Sequence, residues 1–193
     1  MTMRTRALLV TAMLLTGCAS NPSMTVTHHV PRGGTVAVVM FGDCQIANQT
    51  DCDGSGANAG SIFVRVLSQR PGLHAVSLPR PVGAKESLSD DAAVAYAKAK
   101  GYRYVVNGEV QDYSSTGTLP FRANRAAISV RVLNTANGLA VATYAHQESS
   151  TMHLTKPDEM LEDMAKQLAA AVIIEPKKRH QGNFLLYKED DSD

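Results

Sequence analysis

The chain has 193 residues, 44% of them apolar and 19% charged, with a formal net charge of +1. That is enough for one domain with a buried core and short extras, and it excludes an extended acidic disordered chain. The even charge argues against a basic nucleic-acid binder, 5% aromatics without Trp argue against a stacking surface, and no apolar run reaches the ~18 residues of a membrane-spanning helix.

Residues 1–6 carry Arg4 and Arg6 and no acid. Residues 7–15 (ALLVTAMLL) are an apolar stretch too short to span a bilayer. Leu15-Thr16-Gly17-Cys18 follows. A basic head, a short apolar core and small residues at a cleavage site make a secretory signal. With Cys directly after Leu-Thr-Gly, the segment resembles a bacterial lipoprotein signal. The resemblance implies cleavage before Cys18, diacylation of its thiol and acylation of the new amino group. Residues 1–17 are then the signal peptide, and several acyl chains on Cys18 anchor the protein stably. Ala19, rather than Asp, follows the Cys; by analogy with Gram-negative lipoproteins this favours the outer membrane. Loss of Arg4 and Arg6 turns 19 basic residues into 17, against 18 acidic. The mature domain is near neutral, and its composition offers no electrostatic clue to a partner.

Residues 18–34 are polar with Pro and Gly and read as a lipidated tether. Residues 35–41 (TVAVVMF) are a β-branched apolar run, a buried strand. Residues 42–56 form a loop of turn residues that holds Cys44 and Cys52. An exported domain meets an oxidising compartment, so two Cys eight residues apart in such a stretch predict a Cys44–Cys52 disulfide. A metal pair or free thiols are the alternatives, and no further Cys or regularly spaced His stands nearby to complete a zinc site. Residues 57–69 place Ala59, Ile62, Phe63 and Val66 at helical spacing, and Pro71-Gly72 stops that helix. A strand over 73–78 and a Pro-containing loop over 79–86 follow. Ser89-Asp90-Asp91 opens an alanine-rich helix that Gly101 ends.

Residues 102–113 (YRYVVNGEVQDY) read as a long strand. In residues 122–133, Ala126, Ile128, Val130 and Val132 face one way and Arg125, Ser129 and Arg131 the other. Asn137-Gly138 signals a hairpin, and residues 139–147 return. Thr155 and Asp158 are spaced as in a capping box before the apolar stripe Met160, Leu161, Met164, Leu168 and Val172. Pro176 forbids continuation, so the periplasmic domain is expected over 35–175. Residues 176–193 form a charged C-terminal tail, basic at 177–180 and acidic at 189–193, expected to be flexible. Its apolar run 184–187 leaves two readings open, a docked or partner-binding strand and a solvated segment.

The order β-α-β-α-β-β-β-α predicts an α/β (α+β) sandwich: a mixed sheet of about five strands with helices packed mainly on one face. The strand 35–41, the helix opened by Gly54-Ser55-Gly56, the stretch Gly101-Tyr102-Arg103-Tyr104-Val105-Val106-Asn107-Gly108-Glu109-Val110 and the stretch Val130-Arg131-Val132-Leu133-Asn134-Thr135-Ala136-Asn137-Gly138 carry a resemblance. Together they resemble the periplasmic lipoprotein group of the penicillin-binding-protein activator LpoB, the curli secretion protein CsgG and the TolB amino-terminal domain. The match would cover residues 35–172. It implies an architecture and a non-enzymatic role as adaptor, activator or assembly factor. The two-Cys loop is no hallmark of that group. The connection over 114–121 is too short for the membrane hairpins of the curli channel, whose strands need ~9–11 residues each.

The candidate chemistry is sparse. Asp51, Asp53 and Ser55, with Gly56, match the first positions of a calcium loop, but Ile62 stands where a bidentate Glu is needed. Gly54-Ser55-Gly56 before a helix could cradle a phosphate but lacks the Lys of a P-loop. Glu109 and Asp112 lie three apart on one strand and should face opposite sides. His28, His29, His74, His146, His153 and His180 show no ligand spacing. The expectation is therefore a non-enzymatic, outer-membrane, periplasm-facing lipoprotein. It is held by a lipid anchor on Cys18 and binds another envelope protein, with no nucleic acid, no metal and no cofactor. The alternative is a small-ligand or calcium-binding module centred on the loop from Cys44 to Gly56.

Overall fold

In the computed structural model, residues 21–115, 123–150 and 155–173 are described. Six strands form one sheet: β1 (Ser23–Val26), β2 (Gly34–Val39), β3 (Leu73–Leu78), β4 (Tyr104–Ser114), β5 (Asn124–Asn134) and β6 (Ala140–Ser150). Their order is β1-β6-β5-β4-β2-β3. The central β2 runs parallel to β3 and β4, and the other pairings are antiparallel. Helices α1 (Ser55–Gln69), α2 (Asp90–Ala99) and α3 (Pro157–Val172) connect or close this sheet. The signal peptide, Cys18 and the tail over 176–193 lie outside the described residues.

The sheet has six strands, close to the five or so expected; the added one, β1, lies inside the segment read as a tether. Ser23 pairs with Ala145 and Val26 with Ala142. Met24 and Val26 lean on the core, and Val30 is buried, so the folded domain starts near residue 22 instead of 35.

Period-two alternation places the strands. Val36, Val38, Tyr104, Val106, Ile128, Val130 and Val132 form one cluster with the buried stripes of α1 and α3. Ala37, Val39, Val105 and Leu133 turn the other way and pack with Ala93 and Ala97 of α2. Two helices thus cover one face and α2 the other. The stripes over Ala59, Ile62, Phe63 and Val66, and over Met160, Leu161, Met164, Leu168 and Val172, are buried as the spacing predicts. Ser89 caps α2, its Oγ accepting from Ala92 N–H at 3.3 Å. The cap of α3 is Lys156, one residue later than the sequence suggests: Pro157 takes the first helical position, and Glu159 Oε2 accepts from Lys156 N–H at 3.4 Å.

Gly108 explains its own motif. A Cβ there would sit 2.8 Å from the Phe41 ring, which crosses the strand at that point and meets Phe63 at 4.9 Å.

Candidate functional site

Strand β2 leads to α1 on one face and β3 leads to α2 on the other. In open α/β sheets a crevice at the carboxyl ends of such strands is the usual place for a site. Here a cavity of about 290 Å³ opens there, bordered by Gly42, Asp43, Arg80, Glu86, Ser87 and Glu109.

Its Asp43, Arg80 and Ser87 side chains are engaged in internal hydrogen bonds. Asp43, 7% exposed, accepts from Gly54 N–H at 2.9 Å through Oδ2 and from Gly56 N–H at 2.7 Å through Oδ1. A helix N-terminus offers amide donors and a partial positive charge; the chain supplies its own carboxylate to them. The phosphate-cradle reading of Gly54-Ser55-Gly56 therefore gives way to an internal cap. Arg80 donates to three backbone carbonyls: Met40 at 3.3 Å, Gly83 at 3.3 Å and Glu86 at 2.5 Å. Burial draws its proton affinity down, and the charges of Glu109, Asp43 and Glu86 oppose that. Ser87 Oγ donates to Glu109 Oε1 at 3.2 Å.

The structure joins Cys44 to Cys52 in a disulfide with Cα atoms 5.0 Å apart; both residues are buried. Cys44 N–H donates to Ser55 Oγ at 3.2 Å. The loop is laced to the end of β4. Gln49 Nε2 donates to Asp112 Oδ1 at 3.3 Å and to the Tyr113 carbonyl, and Asp51 Oδ2 accepts from Ser115 N–H at 2.9 Å. Asp53 pairs instead with Lys85 at 2.7 Å, which raises the Lys85 pKa. The three residues of the calcium reading thus turn to three different partners. Among the described residues no three His, Cys, Asp or Glu side chains converge on a metal position, and no helix is long and apolar enough to cross a membrane.

Glu109 and Asp112 share a face, contrary to the sequence expectation. The register shifts between Val110 and Asp112, so a bulge at Gln111 flips the phase. They still serve separate partners, since Asp112 pairs with Arg125 at 3.2 Å. Tyr113 is turned to the face of α1 and α3 by the same bulge. Its Oη donates to Asp158 Oδ1 at 2.5 Å, and Asn58 Nδ2 donates to the same oxygen at 2.7 Å, so β4, α1 and α3 meet there. On the other face, buried Asn107 donates to the Leu88 carbonyl and to Asp90 Oδ1, each at 3.0 Å, and Asp90 pairs with Arg131 at 3.1 Å. Neither hub had a local sequence signal, since each spans distant segments. Of the histidines, His29 Nδ1 lies 3.1 Å from the Ala171 carbonyl, while His153 and His180 lie outside the described residues.

Topology also sorts the charges. All three helices run opposite to β2, β3 and β4, so their N-termini share the end that holds the crevice and their C-termini share the other. Asp43, Asp90, Asp91, Asp158 and Glu159 gather at the first end. The second end, built from residues 27–35, 68–74, 98–103, 134–139 and 170–173, contains Arg32, Arg70, Lys98, Lys100 and Arg103 and no acid. The acids of the first turns of α2 and α3, and Lys98 in the last turn of α2, sit where the helix dipoles favour them.

No family model matches the chain, and no curated protein sequence is detectably similar. Solved structures do match. PelC from Paraburkholderia phytofirmans, crystallised as a dodecamer, is 17% identical, with a TM-score of 0.63 over 80% of this chain and 99% of that one. A second crystal form gives 14% and 0.61 over the same shares. The chain shares the fold of that protein. The LpoB C-terminal domain from Salmonella enterica, of the group named from the sequence, is also among the similar structures, 13% identical with a TM-score of 0.34 over 63% of this chain and 85% of that one.

Proposed function

We propose that the protein is a non-enzymatic envelope lipoprotein, anchored by acyl chains on Cys18 in the outer membrane and facing the periplasm. It acts as an assembly or adaptor component through protein–protein contacts, and copies of its own chain are among its partners. The fold match to a protein that forms a dodecamer, at a TM-score of 0.63 over 80% of this chain, is the observation that carries the reading.

The molecule's surfaces suit such contacts. Strands β1 and β3 end the sheet and offer unpaired backbone groups. Beyond α2, the second face presents the exposed Ser23, Thr25, Ala145 and Gln147. The crevice favours a structural role, because Asp43 and Arg80 already spend their hydrogen-bonding groups on the backbone.

Crosslinking in intact cells, with mass spectrometry of the attached chains, tests the reading. Recovery of crosslinked copies of the chain, or of one recurring envelope protein, supports it. Recovery of neither, from correctly lipidated protein that is monomeric by light scattering, refutes it. A Cys18→Ser variant should appear in the soluble periplasmic fraction without incorporated palmitate.

A further inference from the structure

The acid-free end carries a second cavity, of about 410 Å³, between the starts of β2 and β4. Arg32 and Arg103 stand at its border with Gly33, Gly101, Tyr102 and Tyr104. Tyr104 is buried, and Arg103 lies 5.8 Å from its ring centroid. Among the described residues neither arginine has a carboxylate partner, whereas Arg65, Arg125 and Arg131 each have one. Two arginines bordering a cleft, with no negative side chain among the described residues that build this end, make a receptor for carboxylates.

We propose that this cleft is an anion site and that its occupant is the chain's own acidic C-terminus, residues 189–193 (EDDSD). Helix α3 delivers the chain to this end: Val30 N–H, one residue before the cleft-lining Pro31, donates to the Val172 carbonyl at 2.9 Å. Residue 189 lies 16 positions beyond Ile173. Sixteen residues span up to ~55 Å when extended and roughly 20–24 Å as a flexible chain, so the segment reaches the cleft easily. Its four acidic side chains give about four negative charges. The intervening basic run 177–180 is repelled by the same cationic end, which leaves the acidic terminus as the complementary part. Single exposed ion pairs are weak, but tethering supplies an effective concentration on the order of millimolar. A site of sub-millimolar affinity is therefore filled in cis.

The test uses the mature chain carrying Cys18→Ala, alongside a second form whose tail is neutralised by Glu189→Gln, Asp190→Asn, Asp191→Asn and Asp193→Asn. Amide NMR shifts should differ between the two forms at residues 32–35 and 101–104, with little change elsewhere in the domain. A synthetic peptide of residues 188–193 should bind the neutralised form at those amides and the native form at least tenfold more weakly. Arg32→Ala with Arg103→Ala, or 0.5 M salt, should weaken peptide binding at least tenfold. Identical shifts in the two forms, or peptide binding indifferent to both arginines, overturns the proposal. So does binding of phosphatidylglycerol vesicles through the arginines by a neutralised form that ignores the peptide; the cleft would then belong to a lipid surface.

Discussion

Removing the Asp43 carboxylate tests how the loop before α1 is built. Asp43→Ala leaves the amides of Gly54 and Gly56 without their acceptor. A hydrogen bond to a charged group contributes about 1.5–3 kcal/mol, and a carboxylate at a helix N-terminus a further ~0.3–1 kcal/mol. Gly54 is exposed, so water can replace its bond; Gly56 is buried and pressed against the Phe41 carbonyl, where water has little room. The net loss should be about 3 kcal/mol, or roughly 6–12 °C in Tm for a domain of this size. Asp43→Asn keeps one acceptor oxygen and should lose about 1–2 kcal/mol. Urea denaturation with the disulfide intact gives both values. A vacated helix N-terminus is also an anion site, so sulfate should restore more stability to Asp43→Ala than chloride at equal ionic strength. A loss under about 0.5 kcal/mol, the size of an ordinary surface substitution, would refute the reasoning.

Other outcomes follow from the same geometry. Non-reducing peptide mapping of exported protein should recover Cys44 joined to Cys52. Cys44→Ser with Cys52→Ser should cost about 2–3 kcal/mol through the freed loop, measured by the same denaturation. Gly108→Ala should cost about 1–3 kcal/mol because its methyl group meets the Phe41 ring; Phe41→Leu in the same chain should recover part of that loss. Burial, then the hydrogen bond to Asp158, raises the Tyr113 pKa, and burial raises that of Tyr144. The neutral phenols are thus favoured in the folded state, a stabilisation complete below the unfolded value of ~10 and lost as pH rises towards the folded values. Two of the six tyrosines should ionise late in an ultraviolet titration, and Tyr113→Phe should flatten the loss of stability above pH 10.

The fold was legible where periodicity is long. The stripes of α1 and α3 and the alternation of β5 extend over 11 to 16 residues, enough to separate a period of 3.6 from one of 2. The strand β1 has four residues, between Asn21-Pro22 and His28-His29. Only Met24 and Val26 mark it, and its stability comes from pairing with β6. The bulge at Gln111 was hidden because nothing in Val110-Gln111-Asp112 marks an inserted residue. It reverses the phase of every later side chain on β4, so it puts Glu109 and Asp112 on one face instead of two and sets Tyr113 on the face covered by α1 and α3.

The candidate sites were less legible because contacts distant in sequence make them. Asp43 satisfies amides 11 and 13 residues away, and Arg80 reaches back 40 residues to the Met40 carbonyl, so no local motif encodes either. Net charge misled for a related reason. A count of 19 basic against 18 acidic residues in the chain describes the sum and loses the arrangement. Three helices that all descend past parallel strands put every helix N-terminus at one end of the sheet, and the acids that favour those termini gather there. Five bases and no acid stand in the segments that build the opposite end, around Arg32 and Arg103. A domain with almost no net charge therefore presents two ends of opposite character, and an acidic partner segment, from its own tail or from another chain, meets an attractive surface at only one of them.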